Sequence, residues 1–99
     1  MEQRIKSLIG FAQRAGKLAI GRSAVRATCL RHRCVVILVA HDASDKVIKL
    51  VKEMSDIPHH TVSDKQKLGE WVGRNEVAII GVLDYDFAKS ITKAVKNQG

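Results

Sequence analysis

A glycine followed by two closely spaced arginines is the segment of the chain best suited to binding an anion. Gly21 precedes Ser23 to Leu30, a stretch whose apolar residues have helical spacing. A glycine there leaves backbone N–H groups exposed at the positive end of the helix dipole. Arg22 and Arg26 are four residues apart and share one helix face, which predicts contact with phosphate groups or base edges. A solvated helix face is the alternative.

Two further segments are expected beside this helix start. In open α/β sheets, ligands bind at the loops that connect strand ends to helices. His41-Asp42-Ala43 leaves one apolar strand, and Gly73 to Val77 enters another from the opposite direction. Asp42 could instead cap its own loop, and His41 could be an ordinary loop histidine. The predicted site consists of Gly21, Arg22, Ser23, Arg26, His41, Asp42, Gly73, Arg74, Asn75, Glu76 and Val77.

Basic residues are concentrated in the first third of the chain. The formal net charge is +7 over 99 residues. Residues 1–33 hold eight Lys or Arg and one acid, whereas residues 34–99 hold nine of each. The whole excess therefore lies in residues 1–33 and is expected to attract polyanions through one surface. General solubility is the alternative explanation.

Two fully apolar runs indicate the strands that position these segments. Residues 34–40 and 77–82 are rich in β-branched side chains, as in strands buried on both faces. Helical patterns alternate with them, which predicts an α/β fold with helices on both faces of one sheet. A length of 99 residues favours a single domain, residues 1–99.

Helix boundaries are predicted from capping residues and glycines. Ser44 and Asp84 can each accept a hydrogen bond from a first-turn N–H group. Ser63 followed three residues later by Gln66 has the form of a capping box. Gly69 and Gly73 are best explained by helix packing and a helix end.

The aromatic side chains do not suggest a platform for single-stranded nucleic acid. Phe11, Tyr85 and Phe87 are not arranged as in proteins that grip unpaired bases. The spacing of Trp71 from its apolar neighbours in the same helix places it in the core. A nucleic-acid partner is therefore expected to be folded and recognised by its shape.

The sequence contains no signature of an enzyme or a metal site. We find no catalytic triad order, phosphate-binding Walker loop or dinucleotide glycine fingerprint. Cys29 and Cys34 lack metal-ligand spacing and are expected to be buried thiols, while His59 and His60 should face opposite sides of a strand. We predict no cofactor, no metal, no membrane partner, a cytoplasmic location and a monomer.

Several short motifs together resemble a known family. They are Gly10-Phe11-Ala12-Gln13-Arg14-Ala15-Gly16-Lys17, then Gly21, then Val39-Ala40-His41-Asp42-Ala43, then Lys67-Leu68-Gly69 with Gly73. In order and spacing they are similar to the L-seven-Ae ribosomal protein family, in particular its bacterial YlxQ-like type, from about Ser7 to Val95. The resemblance implies a three-layer α/β/α sandwich with a central mixed sheet of about four strands. It also implies binding to a kink-turn, a duplex RNA bent sharply at a bulge beside sheared G·A pairs.

The resemblance also assigns contact residues. In the family, a Gly-x-Asn-Glu-x-x-Lys segment enters the groove beside the sheared pairs, and a loop before the last strand holds the bulged nucleotides. Gly21 matches the glycine, whereas Ser23, Ala24 and Ala27 stand at the Asn, Glu and Lys positions. Arg22 and Arg26 are neighbours that could replace the missing contacts, and the late loop corresponds to residues 73–77.

These observations favour a non-enzymatic protein that binds structured RNA. The expected partner is a kink-turn or related bent element of ribosomal or other non-coding RNA, with possible ribosome association. The alternative is a protein-interaction module of the ribosome or transcription machinery that uses the same basic face. A small-molecule or nucleotide enzyme on a related scaffold is a third hypothesis.

Overall fold

Helices and strands alternate along the whole chain, as the apolar pattern predicts. The computed structural model describes residues 2–97. In chain order its elements are α1 (Glu2–Arg14), β1 (Leu18–Ile20), α2 (Arg22–Leu30), β2 (Val36–Val39), α3 (Asp45–Glu53), β3 (His59–Thr61), α4 (Lys65–Trp71), β4 (Ile79–Val82) and α5 (Tyr85–Lys96). Between residues 2 and 97, every helix is too short or too polar to traverse a lipid bilayer.

The four strands form one mixed sheet in the order β1-β4-β2-β3. Strand β4 is antiparallel to both β1 and β2, and β2 is parallel to β3. Because Ile20 pairs with Ile80 and Val39 pairs with Ile79, β1 and β2 end where β4 begins. We call this edge of the sheet, where β3 also ends, the loop end.

The helices cover both faces of the sheet, which confirms the three-layer sandwich. Val36 and Leu38 of β2 pack into a core half shared with α1, α4 and α5. Ile37 and Val39, which alternate with them, pack into a second half shared with α2 and α3. All four side chains are at most 7% exposed, so the apolar run is explained by burial on both faces.

The two cysteines are buried and free, as predicted. Burial, together with the neighbouring Cys29 thiol, raises the pKa of the Cys34 thiol to about 12. A Cβ atom at Gly81 would lie 3.0 Å from the Cys34 Sγ atom, so a side chain at this position would have to displace the Cys34 thiol slightly. At neutral pH the Cys34 thiol is protonated and therefore unreactive.

The basic first third of the chain does not form a single surface, contrary to expectation. Helix α1, with Arg4, Lys6 and Arg14, packs on the layer that contains α5. Helix α2, with Arg22 and Arg26, packs on the opposite layer. The physical reason is that β1, which joins these helices, is an edge strand, and the chain passes from one face of the sheet to the other around it.

Two of the predicted caps are wrong and one is confirmed. Ser44 occupies the N-cap position of α3, but its side chain makes no capping bond. The cap of α4 is Asp64 rather than Ser63, since the Asp64 Oδ1 atom accepts a bond of 2.8 Å from the Lys67 N–H. Asp84 caps α5 as predicted, by accepting a 3.0 Å bond from the Phe87 N–H.

Removing the cap of α5 should destabilise the fold. Asp84→Ala should lower the free energy of unfolding by about 1 kcal/mol, because the Phe87 N–H loses its acceptor. Ser44→Ala is the matched control, since its hydroxyl makes no capping bond, and should change the free energy by less than about 0.5 kcal/mol. Urea unfolding of both variants measures the difference; equal losses would contradict these cap assignments.

Candidate nucleic-acid interface

Backbone hydrogen bonds bring the predicted segments to the loop end. The Gly21 N–H donates to the Ile79 carbonyl oxygen over 3.0 Å, so the start of α2 is fixed beside the start of β4. On the other side of β4, the Ala40 N–H donates to the Ala78 carbonyl oxygen over 2.9 Å. The segments that follow β1 and β2 therefore lie on either side of the chain entering β4.

Asp42 joins its loop to α4 instead of capping that loop. Its Oδ1 atom accepts a 2.9 Å hydrogen bond from the Lys65 N–H, at the first residue of α4. The Lys65 carbonyl oxygen in turn accepts a 2.9 Å bond from the Val77 N–H. The His41 side chain is exposed, and the His41 backbone N–H donates to the Ser63 carbonyl oxygen over 3.0 Å. These bonds give Asp42 a positioning role at the loop end.

Gly21 adopts a backbone conformation that glycine alone populates readily. Its φ of 95° and ψ of 162° lie in a region that side chains with a Cβ atom avoid. No side chain caps the helix that follows, so a ligand can reach the first-turn N–H groups of α2 without displacing one. Arg22, Ser23 and Arg26 are all exposed, and Val25 and Cys29 point into the core, as predicted.

An open groove of about 360 Å³ runs between α2 and α3. We call it the basic groove; its lining residues are Arg22, Ser23, Arg26, Lys46, Lys49, Leu50 and Glu53. Arg26 and Glu53 form an ion pair of 3.9 Å within it, between half-exposed side chains. The groove therefore presents four cations and one carboxylate along two helices that both begin at the loop end.

Lys46 and Lys49 were not predicted to belong to the site. Their spacing of three residues on the polar face of α3 is visible in the sequence and indicates one exposed helix face. What the sequence did not indicate is that α3 lies directly beside α2, because the two helices are separated along the chain by β2.

The helix starts at the loop end differ in their attraction for anions. Neither α2 nor α3 has a side-chain cap; Arg22 stands in the first turn of α2, whereas Asp45 and Lys46 stand side by side in the first turn of α3. The start of α4 is covered by two carboxylates, Asp42 and Asp64. Since the N-terminus of a helix favours negative charge, a phosphate is expected at α2, where no carboxylate stands in the first turn, rather than at α4, where two carboxylates already fill that role.

The late loop packs closely on α4. Gly73, with φ of 76°, ends the helix, and the Arg74 N–H donates to the Gly69 carbonyl oxygen over 2.8 Å. A Cβ atom at Gly69 would lie only 2.6 Å from the Asn75 carbonyl oxygen, so a side chain there would displace the loop. The helix-packing and helix-end roles predicted for these glycines are thus confirmed.

The late loop divides into exposed and buried residues. Arg74, Asn75 and Glu76 are exposed, with their side chains open to a ligand. Val77 is only 5% exposed and belongs to the core half that contains α1 and α5. Its side chain therefore anchors the loop, while the three preceding residues form the accessible surface.

No cluster of metal ligands is present in the part of the chain from residue 2 to residue 97. His59 and His60 lie on opposite faces of β3, since His59 lines a groove with α3 and His60 lines a groove with α5. Burial, followed by the charge of Lys96, lowers the pKa of His60. The two imidazoles therefore face opposite sides of the sheet, as their adjacent positions in a strand predict.

Comparison with known proteins identifies the family. The model of the ribosomal protein L7Ae/L30e/S12e/Gadd45 family matches residues 3–92. The chain belongs to this family. The resemblance inferred from the short motifs is thereby confirmed, and the four-stranded sheet with helices on both faces agrees with it.

Bacterial relatives and a solved structure match nearly the whole chain. The RNA-binding protein YlxQ of Enterococcus faecium is 29% identical over 97 residues, covering 95% of this chain and 93% of its own. The protein of the same name from Bacillus subtilis (strain 168) is 28% identical over 87 residues, covering 85% and 87%. A solved protein of unknown function from Bacillus halodurans C has a TM-score of 0.84 at 26% identity, covering 94% of this chain and 97% of its own.

Substitution of Gly69 should destabilise the fold through the late loop. Gly69→Ala should lower the free energy of unfolding by about 1–3 kcal/mol, because the new methyl group would overlap the Asn75 backbone. Gly10→Ala in α1 is the control: its Cβ would contact only the Arg14 side chain at 3.7 Å, and the variant should gain about 0.5–1 kcal/mol. Chemical denaturation measures both. A gain for Gly69→Ala would contradict the observed packing.

Proposed function

We propose that this protein is a non-enzymatic binder of structured RNA, held by the basic groove and the adjoining loops. The observation that carries the proposal is the uncapped start of α2, with Arg22 in its first turn, beside the two lysines of α3 that line the basic groove. Membership of a ribosomal protein family and the relatives named as RNA-binding proteins support it. We place its action in the cytoplasm, as a monomer on ribosomal or other non-coding RNA.

Phosphate contact accounts for the affinity in this proposal. Arginine side chains can bond two phosphate oxygens at once, and backbone N–H groups add contacts where Gly21 brings the main chain to the surface. Glu53 competes for Arg26, but an exposed ion pair of 3.9 Å contributes at most about 1 kcal/mol and exchanges readily for phosphate. Binding would consequently weaken steeply as salt increases.

A kink-turn is the bent RNA element that we propose as the preferred target. Gly21 and the Ser23 hydroxyl stand where the family's contact segment begins, and Arg22 and Arg26 flank the positions held by Ala24 and Ala27. In this proposal the arginines reach base edges and phosphates that the alanines cannot. The exposed residues Arg74 to Glu76 hold the bulged nucleotides.

The protein would act on RNA by shifting a conformational equilibrium. If the groove and the late loop fit only the bent form, binding increases the population of that form by the ratio of the two affinities. No bond is made or broken in this step. The rigid connection of the loops to β4 and α4 supplies the fixed shape that such selection requires.

Loss of the two α2 arginines should weaken RNA binding. Arg22→Ala/Arg26→Ala should raise the Kd for a kink-turn RNA by at least about tenfold at moderate salt, because charged hydrogen bonds to phosphate are removed. Lys89→Ala/Lys93→Ala is the charge-matched control, since both lysines are exposed on α5 in the opposite layer, and should have a much smaller effect. Electrophoretic mobility shift or anisotropy titration measures both.

Selectivity for the kink is measured with a second RNA. A kink-turn RNA should bind at least about tenfold tighter than the same RNA with its sheared G·A pairs replaced by Watson–Crick pairs. Equal affinity for the two RNAs would contradict the kink-turn assignment and leave general RNA binding. No binding of either RNA, with retained binding of an acidic protein partner, would favour the interaction-module alternative instead.

A further inference from the structure

A further groove, of about 260 Å³, lies on the outer face of α1, in the layer opposite the basic groove. We call it the aromatic groove; it is lined chiefly by Lys6, Ser7, Gly10, Phe11 and Arg14 of α1 and by Trp71 of α4. None of these residues belongs to the proposed RNA site. Three of them, Gly10, Phe11 and Arg14, belong to the Gly10 to Lys17 motif, which the basic groove does not explain.

The motif builds this groove residue by residue. Gly10 has no side chain, so the groove reaches the backbone of α1 at this residue. The only atom near the position of a Cβ there is the Arg14 Nη1 atom, at 3.7 Å. Ala12 faces the core, and the Gln13 Nε2 atom donates a 2.9 Å hydrogen bond to the Val72 carbonyl oxygen. That bond fixes the C-terminal end of α4, and with it Trp71, beside α1.

Two aromatic side chains are available in the groove, contrary to the expectation from sequence. Phe11 is 53% exposed, although it is a large apolar residue on a helix that has a buried face. Trp71 packs against the core with part of its ring, as predicted, but it is only half-buried and lines the groove. The aromatic platform was missed because α1 and α4 are far apart in the sequence.

The charges of the groove complement a phosphate chain. Arg14 stacks its guanidinium over the Phe11 ring, with the Cζ atom 4.9 Å from the ring centroid. Within residues 2–97 the ion pairs join Arg26 to Glu53 and Lys67 to Glu2, so neither Lys6 nor Arg14 is neutralised. The acidic residues Glu2 and Glu70 line an adjoining groove, which shares Lys6 and Trp71 with the aromatic groove, but neither acid lines the aromatic groove itself.

We propose that the aromatic groove binds unpaired nucleotides of RNA. Because Arg14 covers one face of the Phe11 ring, a base stacks on the other face or on Trp71, and Lys6 and Arg14 contact the flanking phosphates. Aromatic side chains combined with cations hold single strands without reading their sequence, because every base offers a flat face. The aromatic groove and the basic groove would both bind RNA, but through different residues. An RNA with a single-stranded flank could then contact both layers of the sandwich.

The single tryptophan of the chain makes the proposal directly testable. Titration with a short oligouridylate, which cannot form a duplex, should quench the fluorescence of Trp71. Phe11→Leu should raise the Kd of this oligonucleotide about tenfold by removing one stacking surface. Lys6→Ala should reduce the salt slope of log K by about 0.7, the value for one phosphate contact on a single strand.

Matched controls separate this site from the basic groove. Tyr85→Leu removes another exposed aromatic residue, which lies in a groove formed with α5, and should leave the quenching curve unchanged. Arg22→Ala/Arg26→Ala should also retain quenching by oligouridylate while losing affinity for the kink-turn RNA. If the proposed function is wrong, the failure therefore appears only in the binding of the kink-turn RNA and not in the quenching by oligouridylate.

Three results would overturn the proposal. They are absence of quenching in the unmodified protein, an unchanged Kd for Phe11→Leu, and loss of quenching in the double arginine variant. Thermal unfolding verifies that each variant is folded. Should Phe11→Leu fail to fold, Lys6→Glu provides the same test through an exposed side chain, and an unchanged Kd for that variant would equally exclude the site.

Discussion

The hydrogen bonds on the two sides of β4 fix the position of the segments that follow β1 and β2 at the loop end. Gly21 bonds to the carbonyl of Ile79 on one side, and Ala40 bonds to that of Ala78 on the other. Strand β4 is also the central place where both core halves meet, since Ile79 and Ile80 face opposite layers. A ligand surface assembled from parts distant in sequence can be rigid because this strand holds them in register.

The distribution of charge decides which part of the loop end can receive an anion. The carboxylates of Asp42 and Asp64 already occupy the amide groups at the start of α4. No side chain bonds to the amide groups at the start of α2, where Arg22 stands, or of α3, where Lys46 follows Asp45. The net charge of +7 therefore says less about where an anion can bind than the presence or absence of a carboxylate at each helix start does.

Most of the fold followed from local patterns, whereas parts of the site did not. Burial on both faces leaves an uninterrupted apolar run, so β2 and β4 were readable from the sequence. The choice of Asp64 over Ser63 as a cap depends on the turn before α4, where Ser63 has a positive φ of 51°. Similarly, Lys49 joined the site only because α3 packs beside α2, a contact between elements that no short-range pattern records.

Gly21 limits how this surface can vary by mutation. Its main-chain angles lie in the mirror image of the ordinary extended region, yet open space surrounds the position of the missing side chain. A D-residue would fit there, but the genetic code supplies none. Any new specificity therefore has to arise at flanking positions such as Arg22 and Ser23, while the bare peptide groups stay constant. An exposed stretch of main chain at Gly21 is thus flanked by side chains that can be replaced, so related chains could diverge in target without rebuilding the frame.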